Sequence, residues 1–233
     1  MGPRVLRVVA LRPSCSARFS TNLFHHTWHV LSDGAGALVL ARLLWGLAFQ
    51  RQRRTIVLLD GGHLVPTPFD ADPADPIALV NTDLGHVDAD DLRAARASLR
   101  ASSHKTARFH TFGLELPAPE RSEPNDGRER VERVGGCVRY AGSPAALRAT
   151  ARAVLAMRDC TTMEYCYLRP SKRCAHADGE VQVFGDFLDR VSAARVARRV
   201  VLGDGRSLTP GERVRVHAET YARVQALRAA RVS

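Results

Sequence analysis

The chain has 233 residues, of which 45% are hydrophobic and 25% are charged, and its formal net charge is +10. This length and apolar content favour one domain over residues 1–233 and argue against a largely disordered chain. The longest apolar run, residues 35–49, is interrupted by Arg42 and is too short to span a bilayer, so we expect no membrane partner.

The first third of the chain reads as a strand, a loop, a helix and a second strand. Residues 5–11 are rich in β-formers, and Arg7 interrupts them, which favours a strand of a cytoplasmic protein over a secretory signal. A loop follows over residues 12–22. Asp33 can cap a helix over residues 34–50, whose leucines cover most faces and predict burial on more than one side. The continuous apolar run at 55–59 predicts a buried parallel strand.

The remaining segments continue this alternation. Residues 66–76 are rich in Pro and Asp, and we expect a solvated acidic loop there. The stretch 117–130 has the composition of a mobile loop or boundary, and no repeat period is visible along the chain. Caps at Asp88, Ser143 and Thr209 support three of the later helices. The predicted strands are 77–80, 109–116, 131–140 and 181–184, and the predicted helices are 89–100, 144–157, 186–202 and 210–228.

This order of elements predicts an α/β fold with a three-layer, doubly wound, mostly parallel sheet. A helical C-terminal hairpin over residues 186–233 would lie across the sheet as an appendage. In such sheets ligands bind at the carboxyl ends of the strands. That rule directs attention to residues 32–36, 60–63, 81–86 and 140–143.

A glycine-rich turn opens the first predicted helix. Gly34 and Gly36 would let a phosphate approach the free N–H groups of the helix, and Asp60, at the end of the next strand, could accept a hydrogen bond from a ribose hydroxyl. Val39 stands at the third glycine position of the dinucleotide pattern, so the match is partial. A turn that simply needs small residues is the alternative.

The same turn contains a second pattern, His29-x-x-x-Asp33-Gly34, followed by a leucine-rich helix. This segment resembles the HHxxxDG segment of the CoA-dependent and carrier-dependent acyltransferases, including the condensation domains. Trp28 stands in place of the first histidine. The resemblance implies that His29 is the general base for the attacking hydroxyl or amine, and that Asp33 organises the site.

Two groups of side chains could bind a metal, although in each case uncoordinated side chains are the simpler interpretation. Five cysteines at irregular spacing do not predict a disulfide framework, and Cys137 is expected to be a core thiol. Imidazoles, carboxylates and thiolates are the ligands that zinc prefers. The first group is His25, His26, His29, Asp33, Asp60 and His63, and the second is Cys160, Cys166, Cys174 and His176.

The basic net charge favours a polyanionic partner, but the kind and the distribution of the basic residues weaken that inference. All of the 34 basic residues except Lys105 and Lys172 are arginines, which is typical of the coding bias of a GC-rich genome. They are spread over predicted helices, so solvated helix faces are the simplest interpretation. Binding of nucleic acid or an acidic protein by the arginine-rich C-terminal helices is the alternative.

The sequence therefore favours a small-molecule enzyme or binding protein, with a nucleotide-type or phosphate-type pocket formed by Gly34, Gly36 and Asp60. The ligand would be a small molecule of phosphorylated type. Acyl transfer or metal-assisted hydrolysis by His29 and Asp33 is the competing hypothesis, and the arginine-rich interaction module is the third. Catalysis itself, and the identity of any cofactor, are left open.

Overall fold

A computed structural model describes residues 5–101, 106–116, 129–168, 179–203 and 207–232. It confirms the α/β class, but the strands form two separate sheets where the sequence predicted one doubly wound sheet. The predicted loop or boundary at 117–130 lies almost entirely outside the described residues. No helix in the described ranges combines the length and the apolarity that crossing a membrane requires.

The described residues form nine strands, which divide between sheet A and sheet B. Sheet A has five strands in the order β1-β4-β5-β7-β6, and sheet B has four in the order β2-β3-β9-β8. Both sheets mix parallel and antiparallel pairs. The strands are β1 (Arg7–Ala10), β2 (Phe19–Phe24), β3 (Thr27–Ser32), β4 (Thr55–Leu59), β5 (Ile77–Asn81), β6 (Arg130–Val134), β7 (Cys137–Gly142), β8 (Met163–Tyr167) and β9 (Gly179–Phe184).

Five helices complete the described fold, and all five begin within one residue of the predicted positions. Ser143 caps its helix, with its hydroxyl accepting a hydrogen bond from the Ala146 N–H, as the Ser-Pro pattern predicts. The helices are α1 (Gly34–Ala48), α2 (Ala89–Ala101), α3 (Pro144–Ala156), α4 (Phe187–Leu202) and α5 (Pro210–Val232).

Three predictions about strands are wrong for identifiable reasons. The single strand predicted over residues 131–140 is a hairpin: β6 and β7 pair antiparallel, and the chain reverses at Gly135 and Gly136, whose φ angles are 57° and 74°. Residues 109–116 form no strand; instead the Trp45 indole donates a hydrogen bond to the Phe112 carbonyl, so the segment packs on α1.

The expected loop at 12–22 contains the start of β2. The β2–β3 hairpin was not predicted because its two-residue turn consists of His25 and His26, whose φ angles are 49° and 65°. Glycine or asparagine at these positions is the usual sequence signal of such a turn.

The chain contains a structural repeat that no sequence period revealed. The elements β2-β3-α1-β4-β5-α2 and β6-β7-α3-β8-β9-α4 follow in the same order, and each opens with a hairpin that leads through a single capping residue into a helix. The two repeats exchange strands. Sheet B contains β2 and β3 of the first repeat with β8 and β9 of the second, and sheet A contains the reciprocal set plus β1.

The core lies where α1 and α3 pack between the two sheets. Val30 of sheet B, Leu79 of sheet A and Leu44 of α1 belong to one continuous buried cluster. The predicted burial of α1 on several faces is therefore confirmed. On the outer faces, Leu92 of α2 packs against sheet A, and Phe187 of α4 packs against sheet B.

The acidic loop at residues 66–76 forms ion pairs with α4 and α5, the C-terminal helices. The Asp70 carboxylate is only 4% exposed, accepts a hydrogen bond from the Thr67 hydroxyl and pairs with Arg213 of α5. Asp72 pairs with Arg198 of α4 and with Arg213. The prediction of a solvated acidic loop is therefore wrong for Asp70, because Arg213, which compensates the charge of its carboxylate, lies 143 residues further along the chain.

Replacing Asp70 by Ala should lower the free energy of unfolding by about 1–3 kcal/mol, because it leaves the buried Thr67 hydroxyl without its acceptor and removes one partner of Arg213, which is 42% exposed and keeps Asp72. Urea denaturation followed by circular dichroism measures the change. Asp90→Ala is the matched control: this carboxylate is 86% exposed, and its loss should cost no more than about 0.5 kcal/mol. Equal effects of the two variants would contradict the anchoring role of Asp70.

Candidate functional site

The outer face of sheet B carries a row of hydrogen-bonding side chains across all four strands. Asn22 pairs in register with His29, His29 with Glu180, and Glu180 with Tyr167. Residues paired across neighbouring strands lie on the same face of a sheet. This face is the outer one, because Leu31, two residues beyond His29, packs with Phe187 of α4. We call Asn22, His29, Glu180 and Tyr167 the His29 row.

The adjoining register adds further polar and aromatic groups to the same face. Gln182 and Tyr165 are paired in register, and Gln182 Nε2 donates a hydrogen bond to Glu180 Oε1 at 2.8 Å. The rings of Tyr165 and Tyr167 are in edge contact, with 5.6 Å between their centroids, and both side chains are about half exposed. The β8 edge of this face is therefore open to solvent and able to contact a ligand.

His29 lies at the centre of the row, beside Glu180. Its side chain is buried, and burial lowers its pKa below the ordinary 6.5, while the Glu180 carboxylate and a backbone hydrogen bond with Asn22 act in the opposite direction. The imidazole is therefore mostly neutral at pH 7. A neutral imidazole can accept a proton, which is what a general base must do.

Asp33, which directly follows β3, is the N-cap residue of α1. Its carboxylate accepts a hydrogen bond from the Gly36 N–H at 2.8 Å and so caps α1. The chain thus passes from β3, which carries His29, into α1 through a fixed junction. Asp33 determines how the strand and the helix meet.

Close packing accounts for the two glycines of the turn. A Cβ atom on Gly34 would lie 1.9 Å from the Arg158 carbonyl oxygen, just beyond the end of α3, and one on Gly36 would lie 1.6 Å from Ser32 Oγ. Any larger side chain would push α1 away from its neighbours. This agrees with the alternative that the turn simply needs small residues.

The Asp60 carboxylate binds Arg96 of α2, on the outer side of sheet A and away from α1. The carboxylate accepts a hydrogen bond from the Gly61 N–H at 2.7 Å and pairs with Arg96 at 3.1 Å. Helix α2 covers the outer face of sheet A, whereas α1 lies between the sheets. The nucleotide-type pocket stays a prediction, and the packing around Gly34, Gly36 and Asp60 gives it no support.

Metal coordination finds no support among the described residues. Within them, no three His, Cys, Asp or Glu side chains lie close enough together to bind a metal ion. Cys160 donates a hydrogen bond to the Val183 carbonyl, and burial raises the pKa of Cys166 to about 12. Cys174 and His176 lie outside the described residues. Cys137 is a fully buried core thiol, as expected, and burial raises its pKa to about 11.

Replacing Gly34 by Ala should lower the free energy of unfolding by about 1–3 kcal/mol, because the new methyl group would overlap the backbone of Arg158. The matched control is Gly62→Ala, where an added Cβ meets no atom within 4 Å. That variant should change stability by less than about 0.5 kcal/mol. Thermal and urea denaturation compare the two, and a neutral Gly34→Ala would contradict the packing explanation.

The lowered pKa of His29 makes stability depend on pH. Between its pKa in the folded chain and 6.5, the unfolded chain binds more protons, so the free energy of unfolding decreases as pH falls below about 6.5. The His29→Gln variant lacks this contribution. Its free energy of unfolding should therefore decrease less than that of the wild type between about pH 7.5 and about pH 5.5. The exposed His86, changed to Gln, should retain the wild-type pH dependence. If urea denaturation gave all three proteins the same pH dependence of the free energy of unfolding, the lowered pKa of His29 would be refuted.

Comparisons with protein-family models, curated proteins and solved structures found no match to this chain.

Proposed function

We propose that the protein is an acyltransferase in which His29 is the general base. The observation that carries the proposal is a buried imidazole placed in register beside a carboxylate, within a row of polar side chains on one sheet face. Burial lowers the pKa of this imidazole, which favours the neutral form that a base requires. The resemblance of His29-x-x-x-Asp33-Gly34 to the HHxxxDG segment supports the reaction class. The acyl donor would be a thioester, and the acceptor a hydroxyl or an amine.

In the proposed reaction His29 accepts the proton of the acceptor as its oxygen or nitrogen attacks the thioester carbonyl. A new ester or amide bond forms, the carbon–sulfur bond breaks, and the proton passes from the imidazolium to the leaving thiolate. The Glu180 carboxylate stabilises the imidazolium between these two proton transfers, since it already raises the pKa of His29. Glu180 is thus a positioning residue, and His29 is the base.

Asp33 supports the reaction indirectly in this proposal. By capping α1 it fixes the end of β3, and so the register that keeps His29 beside Glu180. The half-exposed Tyr165 and Tyr167 offer an aromatic surface for the acyl chain or the acceptor at the β8 edge.

Metal-assisted hydrolysis by the same two residues is less favoured. The Asp33 carboxylate is committed to the Gly36 N–H, and the two histidines nearest His29 in sequence form the β2–β3 turn. His29 therefore lacks a second and a third ligand among the residues that the structure describes. Acyl transfer needs only the base and its carboxylate neighbour.

The test incubates the purified chain with acetyl-CoA and a panel of alcohols and amines, and measures released CoA and acylated product by chromatography. His29→Ala should reduce the transfer rate by about 100-fold or more, the usual contribution of a general base. Glu180→Gln should cause a smaller loss and shift the pH profile of the rate to lower pH. His86→Ala is the control and should leave the rate unchanged. A full rate with His29→Ala would rule out the proposed base.

A further inference from the structure

Helices α4 and α5 enclose a groove on the surface of the protein. Its volume is about 410 Å³, and we call it the α4–α5 groove. Ion pairs between Asp186 and Arg228 and between Asp189 and Arg231 join the start of α4 to the end of α5, so the two helices run antiparallel along the groove. Its lining residues are Ser192, Ala193, Val196, Arg223, Ala226 and Leu227.

Helix α4 packs against sheet B and against α5, and it also carries apolar residues on the side that faces solvent. Phe187 and Val191 are buried against sheet B. On the solvent side, Leu188, Val196 and Val200 recur at helical spacing and are 47%, 39% and 64% exposed. The side of a surface helix that faces only solvent normally carries polar residues. The exposed apolar stripe therefore points to a partner.

The charges beside the groove define the chemistry of that partner. Arg195 and Arg199 are exposed on α4 and form no ion pair with any described residue. Arg223 lines the opposite wall and pairs with Glu219 of its own helix at 2.7 Å. Arg195 and Arg199 thus differ from Arg198 and Arg213, which compensate the acidic loop. A groove with an apolar floor and a basic edge is complementary to a helix that has an apolar stripe flanked by carboxylates.

Two other occupants fit less well. A second copy of this chain would bring together two proteins that each have a formal net charge of +10, with like charges facing across the contact. Nucleic acid would pair its phosphates with the arginines but would gain little from Val196 and Leu227, because phosphate contacts need no apolar floor.

We propose that the α4–α5 groove binds an acidic amphipathic helix of a partner protein. The apolar stripe of the helix would lie on Val196, Ala226 and Leu227, and its carboxylates would pair with Arg195 and Arg199. This interaction is separate from the proposed acyl transfer and uses no residue of the His29 row.

The test uses a fluorescein-labelled 20-residue peptide designed as a helix, with leucines on one face and glutamates on its flanks. A peptide of identical composition with the stripe scrambled is the control probe. Fluorescence anisotropy against the full chain should give a Kd for the designed peptide at least about tenfold lower than for the scrambled one, the equivalent of about 1.4 kcal/mol. Val196→Glu and, independently, Leu227→Glu should each weaken binding by about tenfold or more. Circular dichroism confirms that each variant folds.

Val214→Glu places the same charge at an exposed valine outside the groove lining and should leave the affinity within about twofold of wild type. Absence of binding by the designed peptide, equal binding of both peptides, or full affinity in both groove variants would each overturn the proposal. A duplex DNA that binds more tightly than the designed peptide, with an affinity independent of Val196, would overturn it in favour of nucleic acid.

Discussion

The close contact of α1 and α3 between the two sheets is the constraint on which the rest of the molecule depends. The helices run antiparallel: Gly34, at the start of α1, lies against the Arg158 carbonyl just beyond the end of α3, and Phe49, at the end of α1, lies under Arg148 near the start of α3. Each helix follows the strand of a hairpin, so the distance between the helices sets the distance between the hairpins. Both sheets are built outward from this pair.

Strand exchange between the repeats then creates the candidate site. His29 belongs to the first repeat and Glu180 to the second, and they meet only because β3 and β9 pair in parallel within sheet B. The equivalent pair in sheet A, β7 and β5, places Arg139 beside Ala78, and Arg139 pairs with Glu132 instead. One architecture therefore supports a structural ion pair in one sheet and a neutral imidazole beside a carboxylate in the other.

The sequence predicted well what depends on neighbouring residues. The caps at Ser143 and Asp33, the leucines of α1 and the apolar run at 55–59 each reflect local chemistry, and the corresponding elements were predicted within a few residues. The predictions that failed concern contacts between residues that are far apart in the sequence. Nothing near Glu180 indicates that it lies beside His29, 151 positions earlier, and nothing near Asp70 indicates Arg213. The alternation of Glu180 and Gln182 with buried valines did carry a signal that these two side chains share one face.

The most direct test of this account is an NMR titration of the His29 imidazole in the wild type and in Glu180→Gln. Burial should hold the wild-type pKa below 6.5, and removal of the adjacent carboxylate should lower it further, because Glu180 raises it. A wild-type pKa at or above 6.5, or a value unchanged in Glu180→Gln, would contradict the juxtaposition of His29 and Glu180, and with it the proposed general base.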